Sequence, residues 1–455
     1  MHASQRLAQI FDSAEELAEY QRQNPASLSR FEQAKAVISG GNTRLTAYFA
    51  PYPFYAVKGE GSRIYDLDGN VRLDFYNNAT SLIFGHAYPP VVAAISDQAS
   101  KGTAFAIPTE PEVELAQLLT ARIPSVEQIR FTNSGTEGVL FAIRAARVFT
   151  AREKIAKFEG GYHGTADHVS ISVTPDLELT GDARRPTPVP ASAGITHNTI
   201  DDVLILPFND LEGTTALLTT HGDTVAAVLV EPILGSCGYV PAQPEFLQGL
   251  RDLTQRLGIL LVFDEVQTFR LSFGGAQALL DIMPDLTVLG KIIGGGLPVG
   301  GVGGRSDVMA AFDATTGTPQ IPHAGTFNGN PVTMRAGLAT LRDLGPATYD
   351  CLHQKGSDFR LRLQTLGDRY GVPIQVTGAG SLFGIHWSAE PVIDYRSSAR
   401  ANKSLSYKFF LHALNNRIFF TSRGGGCLSM PMTDTEMGAF LDVFEGFLKR
   451  IIAGS

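Results

Sequence analysis

The sequence predicts an α/β protein: a large domain with a mainly parallel sheet covered by helices, plus a smaller α+β domain drawn from both chain ends. Two observations carry this. From about residue 110, short apolar runs of strand length alternate with helical stretches, the pattern of strands buried on both faces. Before that region and after about residue 335, the rhythm changes to helices mixed with hairpin-like alternation. The division expected is an N-terminal segment of residues 1–75, a large domain of 76–335 and a C-terminal small domain of 336–455.

Taken in order, residues 13–23 and 28–38 read as helices with polar faces, and Ser39-Gly-Gly-Asn-Thr-Arg-Leu-Thr46 breaks the pattern. Gly59–Asp74 alternates around Asp68-Gly69, a hairpin signature. A helix over Glu112–Ile123, a strand at Gln128–Phe131 and a helix over Thr136–Thr150 open the large domain. Strands follow at Lys154–Phe158, Ala226–Glu231, Gly258–Asp264 and Leu286–Leu289, with a helix at Pro244–Arg256. Val173–Ile200 holds four prolines and no periodicity, and a loop of that length is usually functional or mobile. A helix at Thr333–Leu344 leads to strands near Ile374–Val376 and Leu382–His386.

Composition narrows the function. Of 455 residues 44% are apolar and 18% charged, which is globular. With 37 basic against 45 acidic residues the net charge is −8, so neither nucleic acid nor an anionic membrane is expected as a partner. Cys237, Cys351 and Cys427 are sparse and lack metal or redox spacing. No apolar run is long enough to span a membrane. Asp12, Glu15, Glu16 and Glu19 stand where a signal peptide needs an apolar core. A cytoplasmic enzyme of small molecules is the expectation.

Three motifs carry chemistry. Phe131-Thr-Asn-Ser-Gly-Thr-Glu137 lies between a strand and a helix. Ser134 and Glu137 have capping-box spacing; the free N–H groups of Gly135 and Thr136, with the Thr136 hydroxyl, also suit a phosphate. Both readings stand on this motif alone. Leu260-Leu-Val-Phe-Asp-Glu-Val266 ends a buried strand in Asp264-Glu265, at the edge where open α/β sheets bind ligands. A helix cap is the plainer reading. Leu289-Gly-Lys-Ile-Ile-Gly-Gly-Gly-Leu-Pro-Val-Gly300 places Lys291 as the only charge between Asp285 and Arg305. A desolvated lysine is a nucleophilic amine. The nucleotide P-loop fails here, because Asp285 and Ile292 occupy positions needing Gly and Ser/Thr. Gly378–Gly384 is one residue too long for a dinucleotide fingerprint. His163 and His168 lack acidic or cysteine companions, so no metal site is expected.

A phosphate cradle, a carboxylate 27 residues before a lone lysine, and a later Gly325-Thr326-Phe327 together match what pyridoxal 5′-phosphate requires. With Phe158-Glu-Gly-Gly-Tyr-His-Gly164, Val230-Glu-Pro232 and Gly325-Thr-Phe-Asn-Gly-Asn-Pro331, the chain resembles the class III (fold type I) aminotransferases along nearly its whole length. The resemblance implies that Lys291 is the Schiff-base lysine and that Asp264 pairs with the pyridine nitrogen. Ser134, Gly135 and Thr136 would hold the phosphate. Tyr162 and Val266 would cover the two ring faces, with His163 and Glu231 in the same pocket. Thr326 would reach the phosphate of a neighbouring subunit, which implies a homodimer.

Two subfamilies compete within that resemblance. Glutamate-1-semialdehyde 2,1-aminomutases share Asn133–Glu137, Phe158–Gly164 and Gly290–Gly300 almost letter for letter. β-Amino acid aminotransferases of the β-phenylalanine type share Asn24-Pro-Ala-Ser27, the Ser39–Pro53 loop, Gln243–Leu250 and Asp264-Glu-Val-x-Thr-x-Arg270-Leu. The mutases have one more residue between aspartate and lysine, and no arginine matching Thr421-Ser-Arg-Gly424. A transaminase binds two carboxylates in turn, and arginine offers each a planar fork. Arg44 is therefore expected to bind a β-amino acid carboxylate, and Arg423 the α-carboxylate of 2-oxoglutarate. Asn77-Asn78-Ala79 replaces a Glu–Tyr pair of the β-phenylalanine enzymes, and Gln267 and Phe269 also depart, so the donor need not be β-phenylalanine. The expected reaction is ping-pong transfer of the amino group from a β-amino acid to 2-oxoglutarate; the alternative is an aminomutase or related isomerase.

Overall fold

The structure, a computed structural model, describes residues 13–453. They fall into two compact units. One holds Pro89–His353 with the short segment Ile393–Ala399. The other holds the chain up to Tyr88, Gln354–Val392 and Arg400 onward.

The first unit is built on seven strands: β1 (Gln128–Thr132), β2 (Lys154–Phe158), β3 (Val203–Leu206), β4 (Val225–Val230), β5 (Leu260–Asp264), β6 (Leu286–Gly290) and β7 (Gly300–Gly304). Their order across the sheet is β1-β7-β6-β5-β4-β2-β3. All run parallel except β7, which is antiparallel to both β6 and β1. β4, β5 and β6 are buried at every position, as continuous apolar runs covered by helices should be. Helix α1 (Gly135–Thr150) buries Val139, Ala142, Ile143 and Ala146 against this sheet. Pro244–Leu257 buries Phe246, Leu247, Leu250 and Leu253, one stripe at helical spacing. The helix expected at Thr333–Leu344 spans Pro331–Asp343 and packs on Pro89–Lys101 and Glu110–Arg122.

Two strands differ from the reading. β3 lies inside a stretch not read as strand. β7 is Gly-Gly-Val-Gly-Gly, which carries no apolar alternation to read. Val173–Ile200 holds a 3₁₀ turn at Leu177–Leu179, a short helix at His197–Asp201, and isolated bridges Ile171↔Pro190 and Gly181↔Pro186.

In the second unit the first two helices are Ser13–Gln23 and Pro25–Lys35. The second begins three residues earlier than expected, because Pro25 suits a first helical position. Arg63–Asp66 and Val71–Asp74 form the hairpin around Asp68-Gly69. Ala56–Glu60 pairs on one side and Ile418–Phe419 on the other. Gln375–Thr377, Leu382–His386 and Gly425–Cys427 form a second antiparallel sheet. The core is aromatic, with Phe75, Phe359, Phe383, Phe409, Phe440, Phe444 and Trp387 packed mostly edge to face. Glu16 joins the two chain ends: its Oε1 accepts from His412 Nδ1 at 2.9 Å and from Arg450 Nη1 at 2.7 Å.

Candidate active site

Parallel strands deliver their following residues to one edge of the sheet, and the expected residues cluster there. Asp264 ends β5, Glu231 follows β4, Glu159–Gly164 follows β2, Asn133–Gly135 follows β1, and Lys291 follows β6. Val288 of β6 is the register partner of Asp264, which sets Lys291 just beyond the carboxylate's own strand end.

Asp264 is 5% exposed. Its Oδ1 accepts from the Val266 N–H at 3.1 Å, and its Oδ2 accepts from His163 Nδ1 at 2.9 Å. Burial holds the His163 imidazole below the usual histidine range, against the pull of Asp264, so the ring is neutral. With Nδ1 donating, Nε2 is left as an acceptor; it is buried and has no partner among the described residues.

Glu231 accepts the Tyr162 N–H on Oε1 at 2.8 Å and the Gly235 N–H on Oε2 at 3.2 Å. Burial, reinforced by Asp264, pushes its carboxyl up to about 8, while the two N–H groups and Lys291 pull the other way. The group is therefore mostly protonated at neutral pH. Lys157, which the motif reading passed over, lies fully buried beneath it. Its Nζ donates to Ile171 O at 2.7 Å and Phe158 O at 3.3 Å, and burial pulls its pKa down to about 7 against Glu231, Cys237 and Glu159. Its signal in the sequence was a charge inside an otherwise buried strand. Cys237 is pushed up to about 12 by burial, an unreactive thiol.

At the start of α1, Ser134 Oγ accepts from Glu137 N at 3.2 Å, and Glu137 reaches back to the Asn133 N–H at 2.9 Å. The capping reading therefore holds, and it leaves the N–H groups of the first turn pointing outward. A Cβ on Gly135 would lie 2.8 Å from Val266 Cγ2, so glycine here lets the Val266 side chain pack against the start of α1. The Thr136 hydroxyl accepts from Thr165 N at 3.4 Å. Tyr162 is 44% exposed and Lys291 half-buried. Lys291 adopts φ +51°, in the left-handed region where a non-glycine residue is strained. The arrangement fits an anionic, planar ring cofactor: an anion site at a helix N-terminus, a buried carboxylate with a neutral imidazole behind it, and an amine on the neighbouring strand end. Among the described residues no cluster of three His, Cys, Asp or Glu is arranged to hold a metal.

Thr326 belongs to this unit and is exposed. Nearby, Asn328 Oδ1 accepts from Asn133 Nδ2 at 2.8 Å, which fixes the turn beside the start of α1. Arg44 and Arg423 belong to the other unit. Both act on Tyr76, whose pKa is raised by burial and lowered in part by the Thr46 hydrogen bond and the two guanidinium groups. Arg44 Nη1 donates to Asn78 Oδ1 at 2.9 Å. Asn77, Asn78, Ala79 and Thr80 all have positive φ, four left-handed residues in a row that no sequence pattern announced.

The class III aminotransferase family model matches residues 48–424. The chain is 40% identical to a glutamate-1-semialdehyde 2,1-aminomutase 2 of Brevibacillus brevis, over 93% of this chain and 98% of that one. Among solved structures, an omega-transaminase from Sphaerobacter thermophilus is 48% identical, with a TM-score of 0.91 over 94% of this chain and 98% of that one. A β-phenylalanine aminotransferase from Variovorax paradoxus is 38% identical, with a TM-score of 0.87 over 98% and 97%. The chain belongs to the class III aminotransferases. It has the type I fold of pyridoxal 5′-phosphate enzymes, and that is its cofactor.

Proposed function

We propose that this transaminase takes the amino group from a β-amino acid and passes it to 2-oxoglutarate. The observation that carries this is the pair Arg44 and Arg423. Both lie within electrostatic reach of Tyr76, and neither forms an ion pair with an acidic side chain among the described residues. Two cations without acidic partners suit two carboxylates presented in turn.

Pyridoxal 5′-phosphate supplies an aldehyde that exchanges for an amino group and a ring that draws electrons from the substrate carbon. Lys291 is the residue that would hold it through its amine, and its Nζ is the group that would carry a proton from the donor's amine-bearing carbon. Asp264 keeps the ring nitrogen protonated, and His163 donates to Asp264 and orients it. Ser134, Gly135 and Thr136 hold the phosphate on the N-terminus of α1. Tyr162 and Val266 would cover the ring's two faces, and Glu231 fixes the Tyr162 backbone. Thr326 completes the phosphate site of a second copy, so the working form is a homodimer; the compartment is the cytoplasm.

An alternative is migration of the amino group within one substrate, as in an aminomutase. The curated relatives favour it over transfer to 2-oxoglutarate, with about 40% identity along almost the whole chain. One experiment separates the readings. A panel of α-, β- and ω-amino donors is supplied with and without 2-oxoglutarate, and glutamate is measured alongside rearranged amino acid. Glutamate formed only with a β-donor and 2-oxoglutarate supports the first reading. Rearrangement without any acceptor establishes the second.

A further inference from the structure

We propose that Arg396 is a positioning residue for the cofactor site, acting through Glu159. It sits in Ile393–Ala399, seven residues that belong to the unit of the large sheet although the chain on either side does not. Its guanidinium grips Glu159 bidentately, Nε to Oε2 at 2.7 Å and Nη2 to Oε1 at 3.1 Å. It also donates to three successive carbonyls, Thr180 O at 3.0 Å, Gly181 O at 2.9 Å and Asp182 O at 3.1 Å. Glu159 is buried, at 4% exposure, and Arg396 is partly buried, at 11%.

What the pair ties together gives it its role. Glu159 is the first residue after β2 and opens the turn that carries Tyr162 and His163. The three carbonyls lie in the long proline-containing loop. One guanidinium thus fixes the base of the turn to the middle of that loop, using the planar array of donors that lysine lacks. Its neighbours fasten the long loop and the segment that faces the turn. Tyr395 OH donates to Pro175 O, and Ser398 Oγ donates to Cys237 O at 2.8 Å. Gly160 has φ +83°, and a Cβ there would lie 2.6 Å from Tyr395 Cβ and 2.7 Å from Cys237 Sγ. The turn is walled on both sides. Beyond it, the Tyr162 N–H reaches Glu231 and the His163 ring reaches Asp264. Without Arg396, the buried Glu159 carboxylate loses its ion-pair partner, and the turn must move to hydrate it.

The test compares holoenzymes of the parent, Arg396→Met, Arg396→Lys, Glu159→Gln and the Arg396→Met/Glu159→Gln double variant. Three quantities are read: the rate of cofactor loss on dilution, the rate of trypsin cleavage at Arg184–Arg185, and the unfolding temperature. Arg396→Met is expected to lose cofactor at least tenfold faster and to be cut faster in the loop. Arg396→Lys should fall between, since it can pair with Glu159 but cannot also hold three carbonyls. The double variant should lose cofactor no faster than the worse single one, because the two residues act through each other. A lower unfolding temperature with unchanged cofactor loss would reduce Arg396 to a structural brace and overturn the proposal. Full additivity of the two single changes would overturn it as well. If Arg396→Met does not fold, Arg396→Lys and Glu159→Gln decide by the same measurements. None of these readouts depends on which acceptor the enzyme uses.

Discussion

Lys291 combines the nucleophilic amine with a left-handed backbone, φ +51°. Lys291→Ala should abolish turnover, by about a thousandfold or more, since the other buried amine near Glu231, Lys157, is tied to the Ile171 and Phe158 carbonyls. Borohydride followed by peptide mapping should find the phosphopyridoxyl group on Lys291, and an adduct on another lysine would remove its assignment. Glu231 makes a pH-dependent prediction. Its folded pKa of about 8 lies above the ordinary 4.5, so the folded state binds more protons between those values. Its contribution to stability is fully present below pH 4.5 and is lost as pH rises through 8, at up to about 1.4 kcal/mol per pH unit. Glu231→Gln keeps the neutral form but cannot accept the Gly235 N–H, a constant cost of about 1 kcal/mol. The variant should therefore be less stable than the parent near pH 5 and gain on it steadily towards pH 8 in unfolding experiments. A constant gap across that range would mean Glu231 is ionised in the fold. Arg423→Ala should lose about 2–5 kcal/mol of binding to the acceptor carboxylate. That is roughly 30-fold or more in kcat/KM for 2-oxoglutarate, with a much smaller effect on the β-donor half-reaction. Arg44→Ala should do the reverse.

At the level of elements, the phosphate end of the site depends on β7. The only non-glycine residue of Gly300–Gly304 is Val302, which packs in the core. A Cβ on Gly300 would lie 1.9 Å from Ser134 O, so the strand can pass only if that position has no side chain. Gly300→Ala must displace the start of α1. We expect a loss of about 1–3 kcal/mol of stability, with weakened cofactor retention measured by equilibrium dialysis. Ser134→Ala removes only a cap, about 1 kcal/mol, and is the control for simple loss of helix stability. The same glycines explain what the sequence hid. Apolar runs announced β4, β5 and β6, since strands buried on both faces must be apolar throughout. β7 offered almost no side chains, so its signal was read as a glycine cluster and not as a strand. The left-handed run Asn77–Thr80 was equally silent, because it is held in part by a contact from far along the chain, Asn77 Nδ2 donating to Cys427 O at 3.0 Å. The loop at Val173–Ile200 was legible as a loop, but not the arginine that pins it: Arg396 and Glu159 lie 237 residues apart.

For the whole molecule, local runs were enough to place Lys291, Asp264 and the start of α1 at one edge of the sheet, because each of them follows or ends a strand. What joins several distant segments, such as the Glu231, Lys157 and Tyr162 contacts, was not legible from any one of them. The proposed homodimer also has a surface to use among the described residues. Phe327 is 58% exposed next to Thr326, and Ile107 is 73% exposed. The two stretches are neighbours, since Asn330 Nδ2 donates to Thr103 O at 2.8 Å and Gly329 backs onto the Glu112 carboxylate. Phe105 and Val113 extend the apolar area. Isolated exposed hydrophobics need no explanation, but a group of this kind is expected to be covered by another chain. Sedimentation of the holoenzyme at micromolar concentration should show no species smaller than about 98 kDa, twice 48.9 kDa. Phe327→Asp, which puts a charge into the covered area, should produce monomer and lose cofactor with it. A stable monomer that keeps its cofactor and full activity would show that each chain completes its own phosphate site, and Thr326 would then have no partner to serve.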